Sequence, residues 1–344
     1  MKDLVIERVG PNVYEFLIKY VGLASEHTLV VSTSDEFNIA NKAGSFSAIV
    51  NLGRVNDIRY INKFFNRVNF KIKKGDTFIC CFETIISRKE KQKLTQIPVI
   101  GSLFFAFEFL FLRVAPKVWG LKKIYFSITK GRNRLLSRAE VLGRLVCCGF
   151  EIIDYESLDG ITYVVCKKAK EPDINPNVSY GPIFKMQRIG KNGRKIGVYK
   201  FRTMHPYAEY LQDYVLKLSG YSETGKPAND FRLTPWGSIL RKYWLDELPQ
   251  LINVLKCEMK LVGVRPISER YLLDIPKDLQ ELRIKQKPGC IPPYVALGRA
   301  SSVQSVLEAE REYLIEKKKN PYFTDTKYFF KAIFNIIFKR KRSS

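Results

Sequence analysis

A polar break between residues 167 and 182 constrains this chain most, because it separates two regions whose apolar residues follow different patterns. Its sequence, KKAKEPDINPNVSYGP, is rich in Pro, Asn and charge, which is typical of a linker. A chain of 344 residues is long enough for about two domains, each able to bury a core. We predict an N-terminal domain over residues 1–170, a linker over 171–182 and a C-terminal domain over 183–344.

The N-terminal region alternates strand-like and helix-like patterns. Short apolar runs end in Gly, Ser or charge at residues 27–34, 46–53 and 76–83, as buried parallel strands do. Between the last two runs, apolar residues recur at helical spacing from Ile61 to Val68. This alternation predicts an α/β layer domain.

A second unit of the same region begins with a helix signal. Ser137 is followed three positions later by Glu140, which predicts a capped helix, and Asp159-Gly160 predicts a β-hairpin. Together with FSAIVNLG and the step into KKGDTFIC, the hairpin GFEIIDYE…YVVCKK resembles the later part of a class I methyltransferase domain. The segment VVSTSDEFN lacks the glycines that let backbone approach a nucleotide. The resemblance implies a Rossmann-like fold, and we expect a degenerate, non-catalytic domain; an active methyltransferase in a bifunctional chain is the alternative.

An apolar segment inside this region, Ile97–Leu121, has two interpretations. Its uninterrupted part ends at Leu112 and is too short to cross a membrane, which takes about 20 apolar residues. It contains Glu108, and Pro116 interrupts the remainder of the segment. The segment is either a buried helix or lid of the domain, or a re-entrant or interfacial membrane helix.

The C-terminal region opens with a strongly cationic hairpin. Asn192-Gly193 lies between two strand-like stretches, which is a strong hairpin signal. Dense Arg and Lys suit a polyphosphate, because a guanidinium grips phosphate oxygens with two parallel hydrogen bonds. The cations of the hairpin are Lys185, Arg188, Lys191, Arg194, Lys195, Lys200 and Arg202, of which we favour Lys200 and Arg202 as functional.

Two adjacent carboxylates, Asp246 and Glu247, follow a predicted helix that opens at Thr234-Pro235. Apolar residues flank them on both sides, so burial would raise their pKa values unless cations or a metal offset it. A purely structural alternative is that Asp246 caps the next helix. The many nearby Arg and Lys residues favour a functional site.

A third element, LVGVRPISERY, places Arg265 between Gly263 and Pro266 after an apolar strand. A tight turn of this kind holds a guanidinium at a fixed angle, so Arg265 is a candidate phosphate clamp.

These motifs in combination closely resemble the bacterial sugar transferase family, which comprises monotopic polyprenyl-phosphate glycosyl-1-phosphate transferases. The resemblance covers roughly residues 180–340. It rests on FKMQRIGKNGR, YKFRTM, RLTPWGSILRKYWLDELPQLINVLK and LVGVRP. It implies transfer of a sugar-1-phosphate from a nucleotide diphosphate sugar to a polyprenyl (undecaprenyl) phosphate, with Mg2+, at the cytoplasmic face of the inner membrane. This step would initiate the synthesis of exopolysaccharide, lipopolysaccharide or another glycoconjugate.

The resemblance also implies residue roles. Asp246 would be the nucleophile that forms a phosphosugar-aspartyl intermediate and would help to hold the metal. Glu247 would assist in metal binding or proton handling, and Arg265 would bind phosphate. Cations near these motifs complete the expected phosphate-binding set: Arg188, Lys200, Arg202, Arg232 and Arg241.

The sequence departs from the family pattern in two places. Polar EPDINPNVSY stands where the family has its re-entrant membrane helix, and KPGCIPPYVALGRA (287–300) replaces a Pro-Gly-Ile-Thr-Gly run. Membrane contact is instead expected from Ile97–Leu121 and from a basic amphipathic C-terminus. The latter carries Tyr328, Phe329, Ile333, Ile336 and Ile337 on its apolar side, followed by Lys339 to Arg342. The alternative is a core helix with a soluble basic tail.

The net charge of +24 suits an anionic partner, which an anionic membrane surface or phosphorylated substrates would provide. A nucleic-acid-binding protein is the competing interpretation, but the sequence has no helix-turn-helix, zinc or RNA-recognition signature. The seven cysteines include no C-x-x-C pair, which favours buried, reduced thiols in a cytosol-facing protein.

Overall fold

The computed structural model describes residues 2–97, 99–118, 120–173, 180–219, 230–299 and 302–338. The chain divides into two compact units, the first formed by residues 1–180 and 204–232 and the second by 181–203 and 233–344. Sequence patterning predicted one crossing, at the linker 171–182. The structure instead returns the chain to the first unit for residues 204–232. Most of the predicted linker, residues 174–179, lies outside the described residues.

The first unit contains a five-stranded sheet in the order β1-β2-β3-β5-β4. Strands β1 to β3 are parallel, and β5 runs antiparallel to both β3 and β4. The hairpin between β4 and β5 turns at Asp159-Gly160, both with positive φ, as predicted. The strands are β1 Thr28–Val31, β2 Phe46–Arg54, β3 Ile72–Phe82, β4 Phe150–Leu158 and β5 Ile161–Lys168.

Helices cover both faces of this sheet, which explains why its strands are continuous apolar runs in the sequence. One core places Ile49 and Phe78 against Phe65 and Leu142, whereas the opposite core places Val50 against Phe16. The helices of the first unit are α1 Lys2–Val9, α2 Pro11–Ile18, α3 Phe37–Ala40, α4 Ile61–Lys71, α5 Ile85–Lys91, α6 Ile100–Phe109, α7 Leu121–Thr129, α8 Arg138–Cys147 and α9 Gln212–Ser219.

The second unit is mainly helical, with two small two-stranded sheets. Strands β6 Ile183–Ile189 and β7 Lys195–Phe201 form the predicted hairpin at Asn192-Gly193, and β8 Lys260–Val262 pairs in parallel with β9 Gly289–Ile291. Its core lies beneath the long C-terminal helices. The helices are α10 Pro235–Lys242, α11 Leu251–Leu255, α12 Glu269–Leu273, α13 Lys277–Ile284, α14 Pro293–Leu297, α15 Val303–Lys319 and α16 Phe323–Ile337.

The apolar segment Ile97–Leu121 forms α6, a π-helical turn Leu110–Val114 and a 3-10 turn Ala115–Lys117 that contains Pro116. Its buried positions include two charged residues: Glu108, paired with Arg88, and Arg113. Its apolar side chains are instead largely exposed, which argues against a simple buried helix. They are Val99, Ile100, Leu103, Phe107 and Leu110. None of the helices in the described ranges is both long enough and apolar enough to cross a membrane.

The structure of the C-terminal helix α16 corrects the prediction that its apolar side contacts the membrane. Tyr328 is buried, and Phe329 and Ile336 pack against the core of the second unit, so this side does not face lipid. Phe330 and Phe334 lie on the exposed side of the same helix. The predicted basic run Lys339 to Arg342 lies outside the described residues.

Candidate functional site

The two adjacent carboxylates lie in a short 3-10 helix, Leu245–Gln250, that directly follows α10. Helix α10 begins where predicted, because the Thr234 Oγ1 accepts a hydrogen bond from the Gly237 N–H at 2.9 Å. The same hydroxyl donates to the Thr203 carbonyl at 2.9 Å, which ties α10 to the chain that leaves β7. The carboxylates are thereby fixed relative to the cationic hairpin.

A strained residue separates α10 from the carboxylates. Trp244 adopts a left-handed conformation, with φ 60°, that bulky side chains rarely occupy. This residue turns the chain so that Asp246 and Glu247 fall within a new helical turn. The Trp244 indole Nε1 is buried and has no hydrogen-bond partner in the described part of the chain.

Glu247 is held by two side chains. Its Oε1 pairs with the Lys200 Nζ at 2.7 Å, and its Oε2 accepts a hydrogen bond from the Gln250 Nε2 at 2.8 Å. Lys200 lies on β7, so the ion pair joins the hairpin to the 3-10 helix. Both side chains of the pair are largely buried, which strengthens the interaction relative to a surface ion pair.

A buried amide fixes the same two elements. The Asn253 side chain accepts a hydrogen bond from the Tyr199 N–H at 3.0 Å and donates one to the Gly197 carbonyl at 2.8 Å. These bonds attach α11 to the backbone of β7 and hold Lys200 in register with Glu247. Sequence patterning missed Asn253 and Gln250, although a polar residue within the stripe LINVL was a usable signal.

Asp246 and Glu247 form a carboxylate dyad, of which Asp246 has no ion-pair partner among the described residues. Half-burial raises its pKa, as does the neighbouring Glu247, whereas Lys200 and Arg241 act in the opposite direction. Asp246 lies inside the 3-10 helix, and the residue that precedes α11 is Gln250. The alternative in which Asp246 caps the following helix is therefore wrong.

Two arginines form a second cationic group. Burial lowers the pKa of Arg188, and the nearby charge of Arg265 lowers it further. No carboxylate forms an ion pair with either guanidinium in the described ranges. Like charges held together without a counter-charge favour an anionic ligand.

The backbone around Arg265 is rigidly supported. The Arg265 N–H donates to the Glu310 Oε1 at 3.3 Å, and its carbonyl accepts from Arg283, which is itself ion-paired with Glu310. Close packing of β8 against β9 further restricts this backbone, because a Cβ on Gly289 would lie 2.1 Å from the Gly263 nitrogen. The turn thus requires glycine at 289, and Arg265 projects from a fixed frame.

The other predicted phosphate-binding cations have different surroundings. Arg241 donates from Nε to the Thr203 Oγ1 at 3.0 Å, and Arg202 donates from Nε to the Gly181 carbonyl at 3.0 Å. Arg232 belongs to the first unit, where it is buried and paired with Asp230 at 2.8 Å. The structure therefore brings Lys200 and Arg241 near the dyad and engages Arg232 in an internal ion pair.

The unusual segment 287–300 also lies near the dyad. Burial raises the pKa of Cys290 to about 12, and the charge of Glu247 contributes to that shift. Cys290 is therefore close enough to Glu247 for their charges to interact. The following α14 is mostly buried.

The residues present suit Mg2+. This ion prefers oxygen ligands and is commonly bound through one or two carboxylates together with substrate phosphates. Asp246 supplies a half-buried carboxylate that no described cation engages in an ion pair, and Glu247 supplies a second carboxylate beside it. Magnesium usually keeps several waters and binds substrate phosphates, which would supply the remaining ligands. Among the described residues no cluster of three or more His, Cys, Asp or Glu side chains is suited to a metal.

Comparison with known proteins gives a consistent picture for this part of the chain. Residues 176–339 match the sequence model of a family described as bacterial sugar transferase. The UDP-glucose:undecaprenyl-phosphate glucose-1-phosphate transferase of Escherichia coli is 38% identical over 173 residues, which cover 48% of this chain and 32% of that protein.

Two further relatives match shorter stretches. The undecaprenyl-phosphate galactose phosphotransferase of Salmonella typhimurium is 38% identical over 129 residues, covering 35% of this chain and 26% of its own length. The exopolysaccharide production protein ExoY of Sinorhizobium fredii is 37% identical over 118 residues, covering 33% and 52% respectively. The chain thus matches between about a quarter and about half of the length of these relatives.

Proposed function

We propose, from the premise that residues 176–339 belong to the bacterial sugar transferase family, that the chain is a sugar-phosphate transferase. The donor is a nucleotide diphosphate sugar and the acceptor is a polyprenyl phosphate, as the names of the E. coli and S. typhimurium relatives suggest. The observation that carries the proposal is the dyad: Glu247 is neutralised by Lys200, while Asp246 has no ion-pair partner within the described ranges.

The reaction proceeds in two displacements. A carboxylate oxygen of Asp246 attacks the sugar-bearing phosphorus, a new P–O bond forms, and the bond to the nucleotide breaks as nucleoside monophosphate leaves with the electron pair. An oxygen of the polyprenyl phosphate then attacks the same phosphorus and releases Asp246 as a carboxylate. No proton needs to be supplied in either step, so Asp246 must simply be ionised.

Electrostatics allow a carboxylate to approach an already negative phosphorus. The Arg188 and Arg265 pair binds the phosphates of the donor, and Lys200 holds Glu247 in place beside the nucleophile. Asp246 and Glu247 would hold Mg2+, which when bound supplies charge neutralisation at the phosphate oxygens.

Contact with a membrane surface is part of the proposal, because the acceptor is a lipid. Apolar side chains around the dyad are exposed in the second unit, and so are those of Ile97–Leu121 in the first. Exposed apolar surface of this extent marks an interaction site. Those of the second unit are Ile239, Tyr243, Leu245, Leu248, Leu251 and Leu255. We assign the protein to the cytoplasmic face of the inner membrane as a monotopic or peripheral protein.

The N-terminal unit is proposed to be a degenerate methyltransferase-like domain. The segments that carry the resemblance, FSAIVNLG, KKGDTFIC and GFEIIDYE…YVVCKK, lie in β2, in β3 and in the hairpin of β4 and β5. The segment VVSTSDEFN, at the end of β1, contains no glycine, and the Asn51 side chain forms hydrogen bonds with the backbone of Thr33 there. We propose that this unit does not catalyse methyl transfer.

The test is the variant Asp246→Asn. Transfer of radiolabelled sugar phosphate from donor to undecaprenyl phosphate, with Mg2+ present, is expected to fall by about 1,000-fold or more, because an amide is a very poor nucleophile. Asp274→Asn, an exposed position in the same unit, serves as the control and should retain activity. Activity of Asp246→Asn within tenfold of the unmodified protein would contradict the assignment.

A further inference from the structure

A cavity of about 550 Å³ lies within the first unit. Its volume falls in the range of small-molecule sites, which is roughly 300–1,000 Å³. Its walls come from the chain after β2, from α4, from the segment 112–136 and from α8, with two tyrosines completing the lining. We call this cavity the cation pocket, because seven lining residues are basic: Arg59, Lys63, Arg113, Lys117, Lys122, Arg134 and Arg144.

The only carboxylate among the described residues that line the cation pocket is Glu140. It is buried and forms ion pairs with Arg113 at 2.8 Å, with Arg144 at 2.9 Å and with Lys117 at 3.6 Å. Burial alone would raise the pKa of Glu140, but these three cations hold it well below its ordinary value. Glu140 is thus ionised, and Lys63 pairs with Glu36, which does not line the pocket. Two carboxylates therefore face seven cations, and most of the positive charge of the pocket is uncompensated.

Burial and neighbouring positive charges disfavour the charged forms of two of these cations, Lys117 and Arg134. Burial lowers the pKa of Lys117 to about 7, with Arg113, Arg144 and Arg134 contributing, and only Glu140 opposes this. Burial also lowers the pKa of Arg134 to about 10, and its Nε is buried without a hydrogen-bond partner in the described residues. Buried charge is costly unless a counter-charge neutralises it.

The remaining walls are aromatic and apolar. The Arg59 guanidinium stacks at 5.1 Å from the Tyr60 ring and 5.0 Å from the Phe126 ring, and the Arg144 guanidinium stacks at 4.4 Å from the Tyr207 ring. Leu112 and Pro116 come from the segment whose other side chains form the exposed apolar surface. A ligand for this cavity therefore combines an anionic head with an apolar or planar group.

We propose that the cation pocket binds the phosphate group of an organic phosphate through Lys117, Lys122 and Arg134. The residues that line the cation pocket all belong to the first unit, whereas Asp246 and Glu247 belong to the second. The ligand is either a soluble phosphate or the head of a lipid phosphate, since both offer the same charge and acceptor oxygens.

The test compares two lysines of one helix in the full chain. Lys122 lines the cation pocket, whereas Lys123, also exposed on α7, does not. The double variant Lys117→Gln/Lys122→Gln is titrated by calorimetry with inorganic pyrophosphate and, separately, with farnesyl monophosphate in detergent micelles. Each charge-assisted hydrogen bond lost should weaken binding by about tenfold or more. Thermal unfolding without ligand verifies that the variant is folded.

Loss of pyrophosphate binding in the double variant, but not in Lys123→Gln, would establish a soluble phosphate as the ligand. Loss confined to farnesyl monophosphate would establish a lipid phosphate. Affinities for both probes within threefold of the unmodified protein, or an equal loss in Lys123→Gln, would overturn the proposal. The readout is binding, measured directly by calorimetry, so the result does not depend on transferase activity.

Discussion

Both units of this chain gather cations, but they differ in how carboxylates are used. In the first unit, Glu140 is buried and its charge is shared among three cations, so it has no capacity left for chemistry. In the second unit, Glu247 forms an ion pair with Lys200, and the adjacent Asp246 has no ion-pair partner within the described ranges. A carboxylate that is ion-paired with several cations neutralises their charge, whereas a carboxylate without an ion pair, beside other cations, is suited to act as a nucleophile in group transfer.

The largest effect on this comparison is expected from Glu140→Gln. Removal of the charge would leave the buried Arg113 and Arg144 and the half-buried Lys117 without a counter-ion, and breaking a buried ion pair typically costs about 3–5 kcal/mol. We expect the free energy of unfolding to fall by about that amount in chemical denaturation. Added pyrophosphate should recover part of the loss, because it would replace the missing negative charge in the cation pocket.

The control for this prediction is Glu151→Gln, an exposed carboxylate on β4 whose loss should change stability by less than about 0.5 kcal/mol. Equal stability of Glu140→Gln and the unmodified protein would show that the cations of the first unit need no counter-charge. The contrast between the two units would then fail.

A smaller effect is expected from Lys200→Met. Half-burial raises the pKa of Asp246, and Lys200 opposes that rise, so its removal should raise the pKa of Asp246 further. Because Asp246 must be ionised, activity falls as the pH falls through this pKa, and the acidic limb of the kcat/KM profile should move to higher pH. We expect activity near neutral pH to fall by roughly tenfold or more, since Glu247 also loses its partner.

Lys195→Met offers a matched comparison on the same strand, because Lys195 pairs with the exposed Glu269. Its pH profile should coincide with that of the unmodified protein. An unshifted acidic limb in Lys200→Met would show that Lys200 does not influence the nucleophile.

Local signals in the sequence were sufficient for the turns and caps. Asn192-Gly193 and Asp159-Gly160 form their hairpins, and Thr234 caps α10, because each depends on a few neighbouring residues. The Ser137 hydroxyl also caps α8, accepting from the Glu140 N–H at 3.2 Å. Glu140, however, pairs not only with Arg144 one helical turn away but also with Arg113 and Lys117, which are distant in sequence and which no capping pattern can reveal.

Long-range packing explains what the sequence did not predict. Leu211 and Val215 complete the core of the first unit, so residues 204–232 return to it although they follow the cationic hairpin. The spacing of apolar residues in a helix likewise does not reveal whether those residues pack inside the protein or are exposed. In α16, Tyr328 is buried and Phe330 is exposed, although both belong to one apolar run.

The central claim, that Asp246 forms a covalent phosphosugar intermediate, is tested most directly by isotope exchange without lipid. Labelled uridine monophosphate is incubated with unlabelled uridine diphosphate sugar, Mg2+ and the full chain, with polyprenyl phosphate omitted. The account predicts label in the sugar nucleotide with the unmodified protein and none with Asp246→Asn, because the first displacement is reversible and independent of the acceptor. Exchange that appears only after polyprenyl phosphate is added would contradict it.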